Sequence, residues 1–318
     1  MNEPLVSVIC LSYNHERFVE EAIRSVINQT YKNIEIIVVD DASNDSSQSV
    51  IGRLIIEFPS IQFLPIKKNV GNCKAFNLAF ALSKGYFIID FATDDIMTSD
   101  RIAKQIDQFQ SLPQDVGVVF TDATYVNEDG FFLRQHYEYL FRKRLLKEVP
   151  QGDVYAKVLS RYFIASPTMM VRRTVLEAIK GYDENLAYED FDFWVRSSRS
   201  FRYFFLNESL TKIRRANNSM STGWYKHGDK QLHSTYLVCK KAQKLNRNTE
   251  EVEALIIRVR YEIRQSVFSK NINEAKLFFE LLSELTKPSW IDRTLIAIRH
   301  LPIPFQWIRN LYHTIRFS

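Results

Sequence analysis

Four short apolar runs, Leu5–Leu11, Ile34–Val39, Ile61–Ile66 and Tyr86–Phe91, each end on a polar or acidic cluster. The clusters are Ser12-Tyr13-Asn14, Asp40-Asp41, Lys68-Asn69 and Asp94-Asp95. The runs have strand length and are rich in Val, Ile and Phe. Between them the apolar spacing turns helical. Phe18, Val19, Ala22, Ile23, Val26 and Ile27 make one face, Asp45-Ser46 caps a segment running toward Phe58, and a third helix covers about Cys73–Leu82. A fourth helix starts at Ser99-Asp100. Alternating strands and helices predict a mostly parallel sheet with right-handed crossovers. The strand C-termini of such a sheet share one edge, and ligands bind in the crevice there. Four strands therefore deliver polar groups to one site.

Further along, Val116–Thr121 reads as a strand. Tyr125-Val126, the turn Asn127-Glu128-Asp129-Gly130 and Phe131-Phe132-Leu133 read as a hairpin excursion. From Pro150 to Ser221 the pattern is mixed: a strand over Thr168–Val171, a helix over Val175–Ile179, a turn at Gly181 and a helix start over Glu189–Ser198. Beyond about Trp224 strands are no longer expected. Helices bearing Leu255, Ile256, Val259, Ile263 and Val267 lead into a tail, Trp290–Ser318, with arginines among aromatic residues. The organisation predicted is an α/β region over 1–222 followed by a helical region over 223–318.

Composition narrows the chemistry. With 46% hydrophobic and 25% charged residues, the chain has the make-up of an ordinary folded protein. Glycines number only 9, and none lies in Leu11–Glu16 after the first strand. That removes the glycine fingerprint of a nicotinamide-binding fold and counts against a nucleotidyltransferase with a glycine-rich phosphate loop. Cys10, Cys73 and Cys239 are odd in number and widely spaced, which suits reduced thiols in a cytoplasmic protein. The first strand starts almost at once, so no signal peptide is expected, and no apolar run is long enough to span a membrane. Residues 226–318 hold 16 Lys/Arg against 9 Asp/Glu, whereas residues 1–225 hold 26 against 28. The positive charge belongs to the helical region. An amphipathic helix pair packed on its own domain, a subunit contact in a homo-oligomer and an anionic membrane surface all remain open for that region. No nucleic acid is expected as a partner.

The motifs, in order, resemble family 2 glycosyltransferases. The first block is Val6-Ser7-Val8-Ile9 with Tyr13-Asn14, then Ala22–Tyr31, then Glu35–Asp45 containing Asp40-Asp41. Asn69-Val70-Gly71 with Ala75-Phe76-Asn77, Thr93-Asp94-Asp95, Gly181-Tyr182-Asp183-Glu184 and Glu189-Asp190-Phe191-Asp192 continue it over about residues 4–222. The resemblance implies a GT-A-type, Rossmann-like α/β fold and an inverting transfer of sugar from a nucleotide-diphosphate donor, with UDP preferred. The acceptor implied is a hydroxyl on a glycan or lipid-linked saccharide, in cell-surface polysaccharide synthesis on the inner face of the membrane.

By the same resemblance, Asp190 is the catalytic base with Glu189 orienting it. Ser12, Tyr13, Asn14, Asp40, Asp41, Asn69, Lys74, Thr93 and Asp94 bind the nucleotide, and Asp94 and Asp95 hold Mg2+ or Mn2+. Hard oxygen ligands suit those ions. Arg214 and Arg215 are candidate diphosphate contacts. The sequence departs from the family pattern at Ala92, where the first acid of the metal motif is missing, at Phe76, where arginine is frequent, and at Ala216, where histidine is common. A non-catalytic nucleotide- or glycan-binding protein with a decayed metal site is the rival reading. Retention of Asp94, Asp95, Glu189 and Asp190 argues against it.

Overall fold

The computed structural model describes residues 3–215 and 225–300. Its first half follows the expected alternation: β1 (Val6–Ser12), α1 (Val19–Ile27), β2 (Ile34–Asp40), α2 (Ser47–Glu57), β3 (Gln62–Pro65), α3 (Asn72–Leu82) and β4 (Phe87–Ala92). Next come β5 (Ile96–Met97), α4 (Arg101–Ser111), β6 (Val116–Asn127), β7 (Phe132–Gln135), α5 (His136–Arg142) and α6 (Tyr155–Ser160). A 3-10 turn at Ser166–Thr168, β8 (Met170–Arg172), α7 (Arg173–Ala178), α8 (Asp190–Ser197) and β9 (Arg202–Arg215) complete the α/β part. The C-terminal part is helical: α9 (Lys230–Leu245), α10 (Thr249–Phe268), α11 (Ile272–Leu285) and α12 (Trp290–Ala297).

The sheet order is β3-β2-β1-β4-β8-β6-β9-β5, with β7 paired to β6. Strands β1 to β4 are parallel neighbours, with Ser12 beside Asp40 and Leu11 beside Ala92. The order reverses direction between β1 and β4, and in such a sheet the binding crevice lies beyond the C-terminal ends of the strands at that switch point. All seven residues of β1 are buried, because helices cover both faces of a parallel sheet. Val8, Cys10, Val38, Ile89 and Phe91 pack with α1, α2 and α4 on one face. Ile9, Leu11, Ile37, Val39 and Ile88 pack with α3 and α8 on the other. The three cysteines are free and buried.

Two expectations need correction. The strand expected at Val116–Thr121 runs on through Asn127, so Tyr125-Val126 belongs to it and β7 is its hairpin partner. The mixed stretch hides a 14-residue strand, β9, which pairs in parallel with β6 and antiparallel with β5. Its alternation is blurred by Arg, Lys and Glu at partly exposed positions and by register shifts opposite Thr121–Ala123. The helical region packs on the α/β part. Leu232, Val238, Cys239, Leu255, Val259 and Ile263 share one core with Phe191, Phe193 and Trp194 of α8.

That shared core contains a buried ion pair. Arg258 Nη1 lies 3.2 Å from Glu262 Oε1, with both side chains almost wholly buried. The guanidinium also donates from Nε to the Leu159 carbonyl at 2.9 Å and sits 4.0 Å over the Tyr162 ring and 5.2 Å from that of Phe191. Burial raises the Glu262 pKa, and the nearby Arg258 opposes that rise. Arg258→Met leaves Glu262 as an uncompensated buried carboxyl. It should destabilise the protein by about 3–5 kcal/mol, whereas Arg258→Met with Glu262→Leu should recover most of the loss. Denaturant unfolding of the two variants measures both quantities.

Candidate active site

Asp41 follows β2, and its carboxylate faces the loop after β3. Oδ1 accepts from Val70 N at 2.8 Å and Oδ2 from Gly71 N at 2.9 Å, while Asn69 Nδ2 donates to the Asp41 carbonyl at 3.1 Å. Gly71 sits at φ +85, where a side chain would be strained, and directly precedes α3. Asp41 and Asn69 therefore build one wall of the crevice together. A carboxylate offers about four lone-pair sites, so Asp41 keeps acceptor capacity beyond these two bonds.

Its neighbour Asp40 behaves differently. The side chain is fully buried, with Oδ1 accepting from Ser43 N at 2.9 Å and Gln48 Nε2 at 2.7 Å, and Oδ2 from Ser43 Oγ at 2.6 Å. Asp40 thus shapes the turn into α2. Asn14, at φ 58, links the two strand ends. It donates from its backbone to Ser43 Oγ at 2.9 Å and accepts from Asn44 N at 2.8 Å. Tyr13 beside it is 43% exposed, a free aromatic face at the crevice mouth. Ser12 Oγ is buried there without a protein partner.

Across the crevice, Thr93 is fully buried and ties β4 to β1. Its Oγ1 donates to the Leu11 carbonyl at 3.1 Å and lies 2.9 Å from His15 Nδ1. The next two acids part company. Asp95 turns into the fold, where Oδ1 accepts from Arg214 N at 2.9 Å. Burial and the adjacent Asp94 raise its pKa well above the usual range, against the pull of that hydrogen bond. Asp95 therefore anchors β9 through this bond.

Arg214 is also committed. Nε donates to the Asp94 carbonyl at 3.0 Å, Nη1 to the Glu128 carbonyl at 2.6 Å and Nη2 to Glu21 Oε2 at 2.7 Å, with Phe18 4.6 Å beneath. Through these bonds it braces the turn at Asp94. Arg215 stacks 4.4 Å over Tyr125. Lys74 is half exposed and pairs loosely with Glu184 at 3.7 Å. Phe76, where the family favours arginine, is buried and stacks 4.2 Å from Tyr182. Ala216 lies outside the described residues.

The base candidates stand where α8 starts. Glu189 is its N-cap residue and accepts from Asn72 Nδ2 of α3 at 2.6 Å. Asp190 hydrogen-bonds with Ser166 and with Glu189. Burial raises the pKa of Asp190 well above the ordinary carboxylate range, and the Glu189 charge adds to the rise. Two carboxyl groups this close cannot both ionise cheaply.

A third acid joins them that the sequence reading passed over. Asp90 lies inside the apolar run of β4, on the same face as Ala92, and accepts from Tyr182 Oη at 3.1 Å. Burial and the charge of Glu189 hold it protonated well above the usual range. A lone acid within an otherwise buried strand was the available signal. Asp192 is buried on the far side of the α8 turn, paired with Arg196 and Lys241.

Among the described residues no cluster of three or more His, Cys, Asp or Glu could enclose an ion. One free carboxylate at Asp94 still suits a small hard cation that takes most of its ligands from substrate phosphates and water.

The sequence model of the family described as Glycosyl transferase family 2 matches residues 7–179, more than half of the chain. The chain belongs to this family. It is 25% identical over 245 residues to the putative teichuronic acid biosynthesis glycosyltransferase TuaG of Bacillus subtilis, covering 77% of this chain and 90% of that one. Its fold is similar to that of S. aureus TarS 1-349 in complex with UDP-GlcNAc, with a TM-score of 0.69 and 18% identity over 96% of this chain and 92% of that one. A mannosyltransferase of Pyrobaculum calidifontis, PcManGT, in complex with GDP-Man and Mn2+, gives 0.61 and 16% over 99% and 86%. This glycosyltransferase therefore has the GT-A architecture expected from its motifs.

The geometry fixes the sign of a pH effect. If Asp190 is the base, it accepts a proton only when ionised, so kcat/KM should fall as the pH drops through its raised pKa. The acid limb should lie well above the pKa of about 4 typical of aspartate. Glu189→Gln removes one of the two causes of the rise and should move that limb to lower pH, as a pH–rate profile of the two proteins would show.

Proposed function

We propose that this glycosyltransferase moves a sugar from a UDP-linked donor, with inversion, to a hydroxyl of a glycan or lipid-linked saccharide. The observation that carries the reading is the placement of two chemistries on either side of one crevice. The ends of β1 and β2 supply the Tyr13 face and the Asp41 carboxylate, and the start of α8 supplies Glu189 and Asp190. The TarS complex with UDP-GlcNAc supports a uridine donor for a fold of this shape.

In this reading the uracil stacks on Tyr13 and its imide N–H donates to Asp41. Ser12 Oγ, buried without a protein partner, has a donor and acceptors to offer the same nucleotide. The acceptor oxygen attacks the anomeric carbon from the face opposite the diphosphate. A carbon–oxygen bond forms there while the bond to the phosphate oxygen breaks, and Asp190 takes the hydroxyl proton. Asn72 and Ser166 hold the acid pair in place.

Mg2+ or Mn2+ would be held by Asp94 together with the diphosphate, and would neutralise the charge developing on the leaving group. Mn2+ in the PcManGT complex supports that choice. The name of TuaG supports a role in polysaccharide synthesis. No helix among the described residues is long and apolar enough to cross a membrane. We place the basic helical region at an anionic membrane surface, where Trp290 is 75% exposed. The rest of the aromatic–basic tail, 301–318, lies outside the described residues.

Donor turnover decides the activity. UDP release from a panel of UDP-sugars should be metal-dependent, and Asp190→Asn should lower transfer by at least ~10²-fold with UDP affinity intact. Asp41→Ala should weaken UDP binding by about 1–3 kcal/mol in titration calorimetry. Full turnover by Asp190→Asn would move the base to another residue.

A further inference from the structure

We infer that Lys241, on the C-terminal helix α9, is a positioning residue for the catalytic base. The inference rests on the reading of Asp190 as that base. Lys241 Nζ lies 2.5 Å from Asp183 Oδ2 and 2.6 Å from Asp192 Oδ1. These two acids bracket the stretch that carries Glu189 and Asp190: Asp183 stands in the turn after α7, and Asp192 in the first turn of α8. One ammonium thus joins both ends of the catalytic segment.

Two further bonds from the same helix hold the middle. Ala187 N donates to Ser234 Oγ at 2.8 Å, and Tyr188 Oη lies 2.7 Å from Thr235 Oγ1. Ser234 and Lys241 are seven residues apart, two helical turns along one face of α9. The segment is fixed on its other side as well. Tyr182 exchanges hydrogen bonds with Asn77 of α3, at 2.9 Å in each direction, and its hydroxyl reaches Asp90. Arg196 ties Asp192 Oδ2 to the carbonyl of Gly181, with Nε 2.7 Å from the former and Nη2 2.9 Å from the latter.

An exposed ion pair is worth little, because solvent screens it and the side chains lose entropy. This link differs, since the Asp192 side chain is only 1% exposed. A compact ammonium with three donors can serve two carboxylates at an angle. Without Lys241, Asp183 loses its cation and its link to Asp192 of α8, and the segment is left with the Arg196 bond to the Gly181 carbonyl on that side. A base shifted by about 1 Å can cost ~10²-fold in rate. The reading places UDP at the ends of β1, β2 and β4, whereas the two acids that Lys241 holds stand after α7 and in α8. The C-terminal helices would then serve catalysis as well as stability.

The test uses the full chain, with active sites counted by UDP titration. Lys241→Met keeps the apolar stem and removes the charge. We expect kcat per UDP-binding site to fall roughly 10–100-fold with UDP affinity unchanged, and Lys241→Arg to restore most of it. A loss of stability with kcat per site unchanged would show a structural role only and overturn the inference. So would equal losses of kcat and UDP affinity. Asp183→Asn cuts the other end of the link and should reproduce the split; it carries the test where Lys241→Met yields no folded protein. Asp190→Asn, run alongside, keeps the two readings apart. If it retains activity the base assignment fails, and if it loses activity while Lys241→Met does not, only the positioning role fails.

Discussion

Half-buried carboxyl groups packed together are the constraint around which this site is organised. Glu189 and Asp190 act on each other's ionisation, both act on that of Asp90, and burial raises all three. An isolated ionised carboxylate in such surroundings is costly, and two side by side are worse. The surrounding structure answers with donors: Asn72 to Glu189, Ser166 to Asp190, Tyr182 to Asp90. Those donors come from α3, from the turn before β8 and from the loop before α8. Much of the fold on that face serves to hold a proton-accepting group that water alone would leave fully ionised and less basic.

A second feature follows from the same economy of polar groups. Asp40 and Asp41 are adjacent and identical in type, yet one is spent on a turn and the other closes the opposite loop. Asp94 and Asp95 also divide. Both acids of the first pair hold backbone, Asp41 on the crevice wall, while in the second Asp95 holds the backbone of Arg214 and Asp94 is left at the crevice. Sequence alone could place both pairs at the sheet edge, since strand length and helical spacing reveal where the edge is. It could not say which member turns inward, because that depends on which N–H groups lie within reach.

The same limit explains the other departures. Arg214 reads as a phosphate contact from its charge, but three carbonyl or carboxylate acceptors and the Phe18 ring surround it in space. β9 escaped notice because its partners lie far away along the chain and its charged positions mask the alternation. Asp90 was hidden by its apolar neighbours. What local patterning carries, the four parallel strands, their helices and the Glu189-Asp190 helix start, was legible. What only long-range pairing creates was not.

The long parallel contact between β6 and β9 has a consequence for how the chain reaches this state. Val116 lies against Arg202 and Asn127 against Arg215, so a large loop must close before either pair forms. The crossovers of β1 to β4 are local by comparison and can close as soon as that portion leaves the ribosome. Asp95 and the carbonyl of Asp94 find Arg214 only after β9 is made. The nucleotide wall can therefore form early, while the turn at Asp94 sets late. Non-local pairing of this kind slows folding. A nascent chain would acquire the shape of a nucleotide site well before it acquired the means to cleave a sugar from one.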